Sequence, residues 1–219
     1  MSFELDFASY TIAITLKAKA DSFDSFHLVR NPDCIARLKA EIAQSLTLES
    51  GHITRAQIQQ MPYLRCCLNE TLRLYPQLPV NVRFTSRNTV LPRGGGPDGT
   101  APVFLRKCTG IGWSTYHMHR SEALYGANAR KYMPERWESG ELIRKVGLGT
   151  GFLDFHGGPR VCLGKDYALM EASLAIVRIL QRYPNIRLPE SEANLPTGSE
   201  RQNLTIVLSS ADGANVALE

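Results

Sequence analysis

Apolar residues recur at helical spacing in several stretches of this 219-residue chain. Ile35, Leu38, Ile42 and Leu46 fall on one face of a helix opened by Asn31-Pro32, with asparagine as N-cap and proline at the first helical position. A second helix is expected to start near Thr54. Pro62 opens a third, PYLRCCLNETLRLYP, which stops before Pro76. The strongest pattern is GKDYALMEASLAIVRILQRYP. There Leu169, Met170, Ser173, Leu174, Ile176, Val177 and Leu180 make a broad, mostly apolar face, and Glu171, Arg178 and Arg182 project from the other. Between Asn81 and Thr109 the period changes. NVRFTSRNTVLP and APVFLRK predict short strands around RGGGPDGT, a loop rich in turn residues. TYHMHRSEALYGANARKYMPERW is irregular with one short helix, and LTIVLSSADGANVALE predicts a hairpin turned at Asp212-Gly213. Residues 1–27 show neither period nor cap and stay unassigned. With no repeat and no low-complexity linker, residues 28–219 read as one continuous piece. The expected fold class is mainly α with small β-sheets (α+β).

Composition adds exclusions. At 43% hydrophobic and 21% charged residues the chain is ordinary for a globular protein. The net charge of +4 is modest, and no Lys/Arg run is interleaved with aromatics, so nucleic-acid binding has no support. No run nears the roughly 18 apolar residues of a membrane segment. The opening MSFELDFASYTIAITLKAK carries acids before its short apolar run and lysines after it, unlike a signal peptide. Cys34, Cys66, Cys67, Cys108 and Cys162 are odd in number and irregularly spaced, which indicates neither a disulfide framework nor a zinc knuckle. A reducing compartment fits best. Cys66 and Cys67 read as small residues on the third helix.

One cysteine stands apart. Cys162 lies in FHGGPRVCLG, just ahead of the strongest helix, where unpaired N–H groups and the positive end of the helix dipole favour thiolate over thiol. Gly158 and Gly164 allow close backbone approaches, and Arg160 can neutralise an anion beside the sulfur. Phe155, Gly158, Arg160, Cys162 and Gly164 fill every fixed position of F-x-x-G-x-R-x-C-x-G. This loop resembles the haem-binding loop of the cytochrome P-450 family, the haem-thiolate monooxygenases. The resemblance implies haem b (iron protoporphyrin IX) as cofactor, with Cys162 as the axial metal ligand. It also implies Phe155 packed on the haem near the sulfur and Arg160 paired with a propionate. Gly158 gives the turn, and Gly164 lets the next helix run close to the porphyrin. Asp154 departs from the apolar residue or proline common there, which is expected to weaken packing at the start of the loop.

Two further marks agree. Taken alone, Glu70 and Arg73 in ETLR form an i,i+3 pair on a helix face. Followed by LYP, they match the family's E-x-x-R signature, and PERW at 134–137 matches its third. By resemblance Glu70, Arg73 and Arg136 form a structural Glu–Arg–Arg cluster beneath the haem. Arg83 is either a solvated strand residue or a second propionate-binding arginine. His117 and His119, on one face of an extended segment, are taken as ordinary polar residues, and His156 receives no role. Within the family, LPRGGGPDGTAPVFL, GIGWSTYHMHR and FHGGPR look most like fungal enzymes that hydroxylate alkanes and fatty acids.

The resemblance covers residues 28–219, the C-terminal haem-binding part of the family's fold. It implies O2-dependent hydroxylation of an apolar small molecule and a flavoprotein reductase as partner. It also implies a terminal hairpin near Asp212 that reaches the substrate pocket, and a place on the cytosolic face of the endoplasmic reticulum membrane. The oxygen-activating distal helix, with its small residue, glycine, acid and threonine, is expected near residues 12–16. IAITL and Thr15 stand there without acid or glycine. The alternative expectation is therefore a truncated, non-catalytic haem-binding fragment or a remnant of gene prediction.

Overall fold

The computed structural model describes residues 28–46, 53–147, 150–189, 201–204, 207–211 and 216–217. Residues 1–27, and with them Thr15, lie outside the described residues, as does the Asp212-Gly213 turn.

Three helices carry the core. Helix α1 (Pro32–Ser45) starts at the expected proline and buries Cys34, Ile35, Leu38 and Ile42, although the Asn31 side chain makes no capping hydrogen bond. Helix α2 (Arg55–Gln59) opens with a capping box in which Thr54 and Gln57 satisfy each other's backbone N–H groups. Helix α3 (Pro62–Leu74) is buried along almost its whole length, from Tyr63 to Leu74. An exposed helix would leave its far face polar and wet. Here Asn69, Glu70, Thr71 and Arg73 are enclosed instead, so each needs partners inside the protein.

Downstream, β1 (Val80–Phe84), β2 (Thr89–Gly95), β3 (Ala101–Leu105) and β4 (Gly110–Ser114) form two separate antiparallel ribbons, β1–β4 and β2–β3. The expected NVRFTSRNTVLP strand is thus two strands broken at 85–88, and β4 is a strand the sequence pattern did not show. The irregular stretch holds two one-turn helices, α4 (Thr115–Met118) and α5 (Glu122–Tyr125), and a 3-10 turn at Pro134–Trp137. Helix α6 (Glu141–Val146) follows, then a second 3-10 turn at Gly158–Arg160.

Helix α7 (Lys165–Arg182) buries Leu169, Ser173, Ile176, Val177 and Leu180 against the main core, while Leu174 stays exposed. It meets α2 and α3, so the helix that begins at the cysteine loop rests on the same core as the E-x-x-R helix. Strands β5 (Gln202–Leu204) and β6 (Leu208–Ser210) pair with each other, and Ala217 bridges to Arg187. Leu204 pairs with Leu208, so an antiparallel pairing already lies ahead of Asp212. Mixed helix and small antiparallel sheet agrees with the expected α+β class. No helix among the described residues is long and apolar enough to cross a membrane.

Candidate functional site

The buried acid of α3 organises the floor of the site. Glu70 Oε1 accepts from Arg73 Nη2 at 2.8 Å, Arg136 Nε at 2.9 Å and the Met133 amide at 2.8 Å. Its Oε2 accepts from Arg73 Nε at 2.8 Å and Trp137 Nε1 at 2.9 Å. Arg73 spends its other donors on the carbonyls of His119 (2.7 Å), Ala129 and Lys131 (3.0 Å). All five N–H groups of its guanidinium are thereby answered, as a group with no solvent exposure requires. Arg136 reaches on to the carbonyls of Tyr125 and Asn128. The structure brings Glu70, Arg73 and Arg136 together, and it adds Trp137 and the Met133 amide, which no sequence pattern pointed to.

His119 joins this floor to the cysteine loop. Its segment is not extended: His117 lies in α4 and His119 caps it. The two histidines also have different surroundings, with His117 exposed and His119 fully buried. The Leu153 amide donates to His119 Nε2 at 2.8 Å, which leaves the proton on Nδ1 to bond the Arg73 carbonyl at 3.1 Å. Burial drives its pKa down to about 3, against the pull of that carbonyl bond. Phe152 stacks between His119 (5.2 Å) and Trp137 (4.7 Å), and Tyr125 donates to the Gly151 carbonyl. Residues 151–153 are thus fixed before the loop begins.

The loop itself turns outward. The Cys162 amide donates to the Phe155 carbonyl at 3.0 Å, closing the turn. Gly158 has φ 70°, in the left-handed region, and a Cβ there would meet nothing within 4 Å. Cys162, Arg160 and Val161 are exposed, and Leu163 is 103% exposed. Phe155 is half-buried with Lys165 Nζ 5.8 Å from its ring centre. At the loop's start Asp154 is buried. Burial pushes its carboxyl pKa up, and the positive charge of Lys165 works against that rise.

Arg83 approaches from β1. Its side chain is exposed, donates from Nη1 to Asn81 Oδ1 at 3.0 Å and to the Val82 carbonyl, and lies 5.5 Å from the Trp113 ring centre. Trp113 Nε1 is buried without an acceptor among the described residues. Asn81 Nδ2 lies 2.9 Å from His156 Nε2 and so brings the ribbon to the loop.

These donors suit one kind of ligand. A single outward thiol at the start of an 18-residue helix offers one soft metal ligand, and the exposed Val161 and Leu163 flank it with apolar surface. Arg160, Arg83 and the unanswered indole N–H of Trp113 are donors for carboxylates. A Cβ at Gly164 would stand 4.0 Å from the sulfur. Cys162, Arg160 and Arg83 are residue types that could hold the haem implied by the loop's resemblance, as one soft ligand for iron and guanidinium donors for its carboxylates.

Comparison with known proteins agrees. The family model described as Cytochrome P450 matches residues 25–208. A "Cytochrome P450" of Arthroderma benhamiae is 40% identical over 195 residues, which is 88% of this chain and 38% of that protein. "Cytochrome P450 52A5" of Candida maltosa is 43% identical over 201 residues, 90% of this chain and 37% of that one. "Cytochrome P450 52A12" of Debaryomyces hansenii is 42% identical over 175 residues, 78% of this chain and 33% of that protein. The chain therefore spans between a third and two-fifths of the length of these relatives. With the family match running from before α1 into β6, this chain belongs to the cytochrome P450 family.

Proposed function

We propose that this chain supplies the haem-thiolate half of a monooxygenase active site, with Cys162 as the axial ligand and an alkane or fatty acid as substrate. The observation that carries the reading is the outward Cys162 sulfur, on a loop closed by the Phe155 carbonyl at the start of α7. Haem bound through a thiolate supplies oxygen activation, the sulfur pushing electron density toward O–O cleavage. Cys162 would bind the iron as thiolate, the form in which cysteine ligates metals. Arg160 and Arg83 pair with the propionates, Phe155 packs beside the sulfur, and Gly158 and Gly164 let backbone come near the ring. Glu70, Arg73 and Arg136 keep α3 and the 134–137 turn locked beneath the loop. Electrons come from a flavoprotein reductase. The resemblance to fungal hydroxylases and the 52A relatives supports the apolar substrate class.

A second reading, haem binding without turnover by this chain, draws on the exposure of Val161, Cys162 and Leu163. Monooxygenation needs a site from which water is excluded. The decisive experiment is a reduced carbon-monoxide difference spectrum of the haem-reconstituted chain, with Cys162→Ala beside it. A red-shifted Soret band of the thiolate type, present in the parent and lost in the variant, is the expected result. The same band in both, or in neither, sinks the assignment of Cys162. Substrate-dependent oxygen consumption then separates turnover from binding alone.

A further inference from the structure

His156 is the one residue of the cysteine loop, glycine aside, in the left-handed region, with φ 62°. That conformation is disfavoured for side chains with a Cβ, and where it persists the surroundings over-determine it. At His156 the surroundings are a hydrogen bond and an aromatic contact to the β1–β4 ribbon. Asn81 Nδ2 lies 2.9 Å from Nε2, and Trp113 packs edge-on with ring centres 6.2 Å apart. Asn81 and Trp113 sit opposite each other in the ribbon's register, so the imidazole meets one cross-strand pair.

The amide of Asn81 has no freedom to turn over. Its Oδ1 already accepts from the Val82 amide at 2.8 Å and from Arg83 Nη1 at 3.0 Å, so its NH2 group must face the ring. His156 Nε2 is then the acceptor, which requires a neutral imidazole. Burial and the positive charge of Arg83 favour that form by lowering the His156 pKa, with Asp154 opposing them. The residue before His156 is Phe155, whose carbonyl holds the Cys162 amide. One peptide unit thus separates the ribbon contact from the carbonyl that places the cysteine.

We propose that His156 is a positioning residue whose bond to Asn81 latches the cysteine loop onto the β1–β4 ribbon and fixes where Cys162 is held. Gly158 and Gly164 give the loop freedom, and the latch restricts it. The consequence for haem rests on the haem-thiolate reading, while the latch itself is a property of the haem-free chain.

The test uses Asn81→Ala, His156→Gly, the double variant and His156→Asn in the full chain. Glycine accepts the left-handed backbone without steric cost and removes the imidazole while adding backbone freedom, for which the double variant controls. Asparagine tolerates the same backbone and restores a side-chain polar group. Amide exchange over 155–164 in the haem-free chain is read first. Haem loss to an excess scavenger and the thiolate-type share of the ferrous CO adduct follow. Each single variant is expected to exchange loop amides and lose haem about 5- to 10-fold faster. The double should be no worse than either single, because both remove one bond. His156→Asn should recover part of the loss.

Two outcomes overturn the latch. His156→Gly could hold the loop and the haem as well as the parent, leaving the backbone alone in charge. Alternatively, the two single effects could multiply in the double. If the parent gives no thiolate-type band, the haem-thiolate reading fails, and the amide exchange still decides the latch.

Discussion

The Glu70–Arg73–Arg136 cluster and the Cys162 loop are built to opposite rules. In the cluster, every donor of Arg73 and both oxygens of Glu70 are answered by this chain, and neither side chain has any solvent exposure. In the loop, Arg160, Cys162 and Leu163 are exposed, and the chain behind them is held by backbone bonds that include Cys162 to Phe155 and by the His156–Asn81 contact. The contrast follows from what each must do. Charges that hold a framework together must be satisfied inside it, because a buried charge left alone is costly. On the proposed haem-thiolate reading, the loop's groups keep their valence free for a ligand. Mutation should therefore separate the two regions cleanly, with the cluster governing stability and the loop governing the ligand.

Glu70→Ala breaks the comparison hardest. It strands two guanidinium groups and the Trp137 indole, and should cost about 3–5 kcal/mol in urea unfolding of the haem-free chain. Cys162→Ala should stay within about 0.5 kcal/mol of the parent in the same measurement, because its exposed thiol forms no disulfide and the backbone bond to Phe155 is kept. Comparable losses in the two variants would contradict the division of labour.

The next effect is set by pH. Burial pushes the pKa at which His119 takes up a second ring proton down to about 3 in the folded chain, from an ordinary value of 6.5. Between these values the unfolded chain takes up a proton that the folded one refuses. Stability should therefore fall as pH drops below 6.5, by up to about 1.4 kcal/mol per unit from this group, and the fall should level off near its folded value. His119→Gln should flatten that slope in pH-dependent unfolding while costing stability at neutral pH, where the Leu153 amide and Arg73 carbonyl lose well-placed partners. An unchanged slope would show that His119 is not the group that links the floor to acid sensitivity.

The framework was far more legible in the sequence than the way the loop is held. Pro32 and Pro62 at helix starts and the period of residues 169–180 announced α1, α3 and α7 because local chemistry and burial agree there. Strand β4 escaped because three of the five residues of GIGWS are glycine or serine, and Ile111 and Trp113 alone are too few to establish a period. His119 was misplaced on an extended segment because a one-turn helix is too short to show a period. The E-x-x-R and PERW marks located three members of the cluster. The hydrogen bonds from Trp137 and the Met133 amide depend on how 3-10 turn and helix meet, which spacing does not encode. The ten-residue motif named Cys162, yet the left-handed backbone of His156 and its reach to Asn81 are visible only in three dimensions.

Gly158→Ala sharpens the contrast from within the loop. Its φ of 70° disfavours a side chain, while the space around a new Cβ is empty within 4 Å. The cost is then backbone alone, about 1–2 kcal/mol. Because the loop packs little against the core, this should appear as faster amide exchange over 155–164 with a smaller change in global unfolding. An equal change in both would mean that the loop unfolds only together with the core.

Arg160→Ala and Arg83→Ala should show the smallest stability effects and the clearest split between the two regions. Both side chains are exposed, and Arg83 gives up its Asn81 and Val82 hydrogen bonds and its approach to the Trp113 ring. Unfolding of the haem-free chain should shift by no more than about 0.5 kcal/mol in either variant. If these guanidinium groups pair with propionates, each loses a charge-assisted bond of about 1.5–3 kcal/mol, and haem should dissociate at least tenfold faster. Lysine at either position should recover charge but not the forked geometry, and so only part of the haem retention. A variant that lost stability without losing haem would move its arginine from the ligand side of the comparison to the framework side.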